Sequence, residues 1–187
     1  MRRLPITLAA LLLAAPAWAE PCPPPPDHSE PLAALVAEVQ AAESAAEARE
    51  IGNRMWAYWA DAPDDQAQAI LDRGMTKRAG YDFLGAIKDF DALIAYCPDY
   101  AEGYNQRAFV HYLRQDFTAA LADLDRALAR APDHIAALSG RALSLYALGR
   151  TEAARDSLAR ALALNPWLPE RSLAAPGAPL APPGEDI

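Results

Sequence analysis

The sequence predicts an all-α protein, an α-solenoid of three like helical hairpins with a further N-terminal helical hairpin as its cap. Three observations carry that prediction. Pro98, Pro132 and Pro166 recur at a spacing of 34 residues. Ala86, Ala120 and Ala154 stand twelve residues before them, and Leu93, Ala127 and Ala161 five before. Between these markers the apolar residues fall three and four apart, which places them on one stripe of a helix. A fixed period of this length means a repeated supersecondary unit whose copies bury their apolar faces on one another.

The first element in chain order is a leader. Residues 1–19 begin Met1-Arg2-Arg3, run apolar from Leu4 to Ala17 and end Ala17-Trp18-Ala19. A basic start, an apolar middle too short to cross a bilayer and a small-x-small ending predict a secretory signal peptide cut after Ala19. Cys22 follows Ala19-Glu20-Pro21, which lacks the small apolar lead-in of a lipid-anchored cysteine. No later stretch is apolar for long enough to span a membrane, so the expected product is exported, soluble and periplasmic. Losing residues 1–19 removes two of the 17 basic residues and none of the 25 acidic ones, leaving a formal charge of −10. That balance argues against nucleic acid and against anionic lipid surfaces as partners.

Residues 20–30 form a proline-rich, extended lead-in, with Pro21 to Pro26 of polyproline character. Residues 31–62 then predict a helical hairpin. Leu32, Leu35, Val36 and Val39 make one amphipathic stripe, and Ile51, Met55, Trp56 and Trp59 make a second, ended by Ala62-Pro63. On the 34-residue grid Gly52 takes the small-residue place, and Trp56 and Trp59 fall near the larger apolar places. A degenerate fourth repeat and a plain helical hairpin fit this segment equally well.

Three repeats follow, over residues 67–100, 101–134 and 135–168. Their first helices carry Ile70 and Gly74, Tyr104 and Ala108, Leu138 and Ala142 on one stripe. Their second helices carry Ala86, Phe90 and Leu93, then Ala120, Leu124 and Ala127, then Ala154, Leu158 and Ala161. Small residues let two helix backbones approach, the bulky ones fill the space between, and the closing proline cannot continue a helix. With Gly149 at the inter-helix turn and Asn165-Pro166 at its end, this pattern resembles the tetratricopeptide repeat, three units in phase. The first unit is looser, since Lys77 stands where that family favours an aromatic. The resemblance implies a right-handed superhelix that binds other proteins. Arg73, Arg107 and Arg141 also recur in phase, and pairing with second-helix carboxylates, Asp89, Asp91, Asp123 and Asp125, is the expected use. Residues 169–187, rich in Pro and Ala, are expected to be a flexible tail. The last apolar face then needs cover, from Trp167, Leu168 and Leu173 folding back or from a second copy in a homo-oligomer.

The resemblance implies the site as well. First helices line the concave side of such a stack, and the matching positions here hold Gln68, Leu71, Met75 and Arg78, then Glu102, Asn105, Phe109 and Tyr112, then Ser139, Leu143 and Tyr146. This mixture of aromatic, apolar and amide groups suits an extended peptide or a partner's helix. Some family members grip a peptide's C-terminal carboxylate with lysines, asparagines and an arginine. Those positions here hold Leu71, Met75, Gln106, Ala136 and Gly140, so that grip is not carried over. The expected function is a non-catalytic exported scaffold whose protein partner lies in the groove, in cell-envelope assembly. The alternative is a periplasmic binder of a glycan or lipid fragment that stacks on Phe109, Tyr112 and Tyr146.

Cys22 and Cys97 are the only cysteines, in a chain expected to meet an oxidising compartment. If residues 31–60 and 67–96 form hairpins, Pro31 and Cys97 lie at the same end of the stack. The stretch from Cys22 to Glu30 reaches roughly 26 Å when extended, enough to span about two helix spacings. A disulfide between them is the expectation. His28, His111 and His134 share no metal-ligand spacing, so no metal and no cofactor are expected. No nucleophile elbow, phosphate loop or paired-carboxylate cleft is visible, and the expectation is no enzyme. The Asp64-Asp65 pair reads as a cap on the first repeat helix.

Overall fold

The computed structural model describes residues 21–182, so the leader segment 1–19 lies outside the described residues. Within them the chain forms eight α-helices and one short 3-10 helix, with no strands. The α-helices are α1 Ser29–Ala41, α2 Ala45–Trp59, α3 Asp65–Ala79, α4 Phe83–Tyr96, α5 Ala101–Leu113, α6 Phe117–Arg130, α7 Ile135–Ala147 and α8 Thr151–Leu164. The 3-10 helix is Pro169–Ala174. The pairs α3/α4, α5/α6 and α7/α8 each pack closely, and α4 on α5 and α6 on α7 join them into a stack.

Local chemistry sets these boundaries. Asp64, Asp82 and Asp116 occupy N-caps and accept hydrogen bonds from the amides of Ala67, Gly85 and Ala119. Tyr96 also donates to Asp64, at 2.6 Å, and that bond, with the Ala67 amide, holds the carboxyl below its ordinary range. Between the helices of each pair the chain passes through a left-handed residue: Tyr81, Gln115 and Gly149. Ala86, Ala120 and Ala154 share one environment, each wholly buried between paired helices. Gly74 is needed for the same approach. A Cβ there would sit 2.5 Å from the Phe90 ring, which is itself fully buried.

The arginine ladder is a structural lattice. Arg107 donates from Nε and Nη2 to the two carboxylate oxygens of Asp123, both at 2.7 Å, and from Nη1 to Asp91 at 2.6 Å. Arg73 and Lys77 share Asp89, and Arg141 reaches Asp125 at 2.7 Å. Hydrogen bonds to Asp123 and Asp91 lift Arg107 above its ordinary value, against its partial burial.

Two expectations are adjusted. Of the two readings left open for residues 31–62, a degenerate fourth repeat and a plain helical hairpin, the contacts fit the plain hairpin, because α2 does not pack on α3 as each later pair packs on its neighbour. Instead α1 reaches α8, and Leu35, Val39, Ile51 and Met55 close a cluster on Ile135, Leu164, Trp167 and Leu168 at the far repeat. The physical reason is the disulfide and what lies beside it. Cys22 bonds to Cys97 with Cα atoms 5.2 Å apart, and His28 pairs with Asp61 at 2.7 Å, so the lead-in turns the hairpin back across the repeats. The second adjustment concerns the tail. Residues 169–182 are ordered against α8: Leu180 is fully buried, its amide donates to the Leu173 carbonyl at 2.8 Å, and Arg155 donates to the Ala181 carbonyl at 2.7 Å. Leu173 and Leu180 thus cover the last apolar face, for which folding back or a second copy was expected, while Trp167 and Leu168 turn to the hairpin.

Candidate functional site

First helices α3, α5 and α7 touch in sequence and form one continuous face. The structure divides the residues expected on it into three groups. Leu71 and Met75 pack into the core of the first repeat, and Gln68 is spent locally, accepting from the Ala62 amide and donating to Asp72. Glu102, Asn105 and Ser139 are buried. Arg78, Phe109, Tyr112 and Leu143 line an open cleft of about 500 Å³, together with Asn105 and Ser139. Phe109 is 46 % exposed there, and Tyr146, at 39 %, lies outside the cleft lining. Tyr112 is half-buried, its ring edge-on to Phe117 at 5.4 Å.

The cover over the buried group is the protein's own. Trp59 of α2 stacks on His134, ring centroids 4.4 Å apart, and its carbonyl accepts from the Tyr100 hydroxyl at 2.7 Å. Trp56 forms part of the cleft wall, and Leu168, Pro169 and Glu170 close it from the C-terminal segment. A second cavity of about 660 Å³ lies between the lead-in, α1 and the starts of α5 and α7, with Leu32, Tyr58, Trp59, Tyr100 and His134 in its walls.

Beneath Trp59 runs a buried polar network. His134 and Glu102 are each 1 % exposed and lie 2.8 Å apart. The Ala137 amide donates to His134 Nδ1, which leaves Nε2 as the donor to Glu102. Asn105 donates to both oxygens of Glu102 at 3.1 Å, and Gln106 donates to one of them. Arg78 donates to the side-chain Oε1 of Gln106 and lies over the Phe109 ring, 4.9 Å from its centroid. Burial holds its guanidinium below the ordinary value, with the nearby Glu102 charge opposing the shift. Cation and aromatic ring therefore stand side by side at the cleft wall.

The sequence profile of the family described as Tetratricopeptide repeat matches residues 71–135 and 107–169, overlapping windows that run from within α3 past the end of α8. This chain belongs to the tetratricopeptide repeat family. Solved structures agree on the fold. The first TPR of Spaghetti (RPAP3) bound to the HSP90 peptide SRMEEVD is 24 % identical, with a TM-score of 0.56, covering 58 % of this chain and 87 % of that one. The Arabidopsis OM64 TPR domain is 20 % identical with a TM-score of 0.57, covering 59 % and 91 %. The TPR2B domain of yeast Sti1, in a complex with pHsp70, is 23 % identical with a TM-score of 0.54, covering 59 % and 89 %. No protein of curated function matches the sequence. The repeat fold is an interaction module. Among the described residues no helix is long and apolar enough to cross a membrane.

Reading the sequence missed Trp56, Trp59, His134 and Glu170 as parts of this face. The tryptophans were visible as an amphipathic stripe, but a stripe does not say which surface it covers. His134 sits where no other repeat has histidine, so no period marks it.

Proposed function

We propose that this chain is a non-catalytic exported scaffold that holds a segment of a partner protein in the open part of its concave face, in the assembly of the cell envelope. The observation that carries this is the cleft beside Phe109: an exposed aromatic ring, the Arg78 cation next to it and the apolar Leu143 in the same lining, about 500 Å³ in volume. Aromatic and arginine anchors of this kind dominate protein recognition. The repeat domains of Spaghetti and yeast Sti1, solved with an HSP90 peptide and with pHsp70, support peptide binding as the mode. The partner's chemistry differs from theirs, because Leu71, Met75, Gln106, Ala136 and Gly140 stand where a carboxylate grip would be. Export is supported by the basic, apolar and small-x-small opening and by the Cys22–Cys97 bond, which needs an oxidising compartment.

The test is affinity capture from envelope extract with the wild-type chain and with Phe109→Ala/Tyr146→Ala. Both side chains are exposed, so the thermal midpoint should stay within a few degrees while recovery of the specific partner falls at least tenfold. Tyr112 is the poorer target because it packs on Phe117. Equal recovery would overturn the groove reading. A thermal shift with glycan or lipid fragments, lost in the same variant, would move the assignment to small-ligand binding.

A further inference from the structure

We propose that the concave face is built to receive an amphipathic helix, that α2 already fills part of it in cis, and that a partner helix binds by displacing α2. This rests on the groove being the binding surface. Residues Ile51, Met55 and Trp59 recur every four positions along α2, with Trp56 beside them, so one face of the helix carries the contacts. Ile51 and Met55 cluster with Ile135 at the start of α7, and Trp59 stacks on His134 of the buried Glu102–His134 pair. The receptor surface is therefore known from its present occupant.

Three features mark α2 as a separable occupant. First, the hairpin's apolar cluster is built mainly from α1 and α2 and takes only Ile135, Leu164, Trp167 and Leu168 from the last repeat. The hairpin can open as a local unit while the stack persists. Second, the contacts of α2 with the starts of α5 and α7 are mainly apolar and aromatic, with the Tyr100 hydroxyl donating to the Trp59 carbonyl as a side-chain hydrogen bond among them. Third, it is tied at both ends, through Cys22–Cys97 and through the short link to α3. Such tethering keeps its effective concentration at the groove high without strong contacts. The expected partner is a helix with aliphatic residues at i and i+4 and an aromatic at i+8, since any occupant that lacks the aromatic leaves a buried carboxylate and imidazole bare.

The probe is a fluorescent synthetic peptide of residues 29–60. Full-length chain with the disulfide intact should bind it at least tenfold more weakly than full-length C22S/C97S/W59A, whose own hairpin is untied and lacks its anchor. Adding Ile135→Glu to that variant should abolish binding. Equal binding by the two chains, or no binding by the untied variant with its helical circular dichroism intact, overturns the proposal. Hydrogen exchange on the unaltered chain serves if the variant fails to fold. Amides of 45–59 should exchange well before those of α5 to α7, and exchange of both together overturns the proposal. If the peptide binds but envelope capture yields nothing, the scaffold role fails while the helix site stands.

Discussion

Arg107 shows how much one side chain holds in this molecule. Its guanidinium is shared between Asp123 of its own repeat and Asp91 of the one before, and the Asp123 side chain is only 4 % exposed. Arg107→Ala strands that carboxylate with the exposed Arg126 as its remaining ionic contact, and a loss of about 3 kcal/mol is expected by urea denaturation. A loss under about 1 kcal/mol would show that Arg126 and water suffice. Asp89 makes the pH case. Burial pushes its carboxyl up, but Lys77 and Arg73 more than offset this and hold it below 3.8. A depressed carboxyl stabilises the fold above its ordinary value and loses that contribution as pH falls through the folded value. Asp89→Asn should therefore lower the thermal midpoint at pH 7 and differ from wild type much less at pH 3. The ladder was legible because partners are 16 residues apart and recur. Arg141 departs from it, since Ser157 stands where its own repeat would supply a carboxylate, and it reaches back to Asp125. The Glu102–His134 pair has no counterpart in phase, so nothing in the sequence singled it out.

At the scale of elements, the turns inside the repeat hairpins obey one rule in three spellings. Tyr81, Gln115 and Gly149 all take φ between 62 and 73°, but only glycine does so without crowding its own Cβ. Gln115 is exposed and its side chain is not needed for the turn. Gln115→Gly should stabilise the chain by about 0.5–1 kcal/mol, the relief of left-handed strain less the added freedom of the unfolded chain. An unchanged or lower denaturation midpoint would count against a strained turn. The repeats could be read from sequence because each element is written three times and errors in one copy are corrected by the others. The α1/α2 hairpin is written once. Its two stripes established helices and a buried face, but its docking surface is set by long-range contacts with Ile135, His134 and Leu164 that leave no local pattern.

The whole molecule has two parts of different character, a repeat stack and a hairpin bound across it. The Cys22–Cys97 bond spans 75 residues, and in the chain-entropy account closing such a loop stabilises by about 4 kcal/mol. Cys22→Ser/Cys97→Ser should spend most of that on the hairpin. Trp56 and Trp59 lie in α2 and Trp167 packs against it, so tryptophan fluorescence follows the hairpin while circular dichroism follows all the helices. The two signals should coincide in the oxidised chain and separate in the double serine variant, fluorescence changing first. Coincidence in both would mean the hairpin and the stack unfold as one. The ordered strap after α8 has a consequence of its own. By seating Leu173 and Leu180 on the final hairpin, it occupies at that end the apolar surface on which a following unit would have to stack.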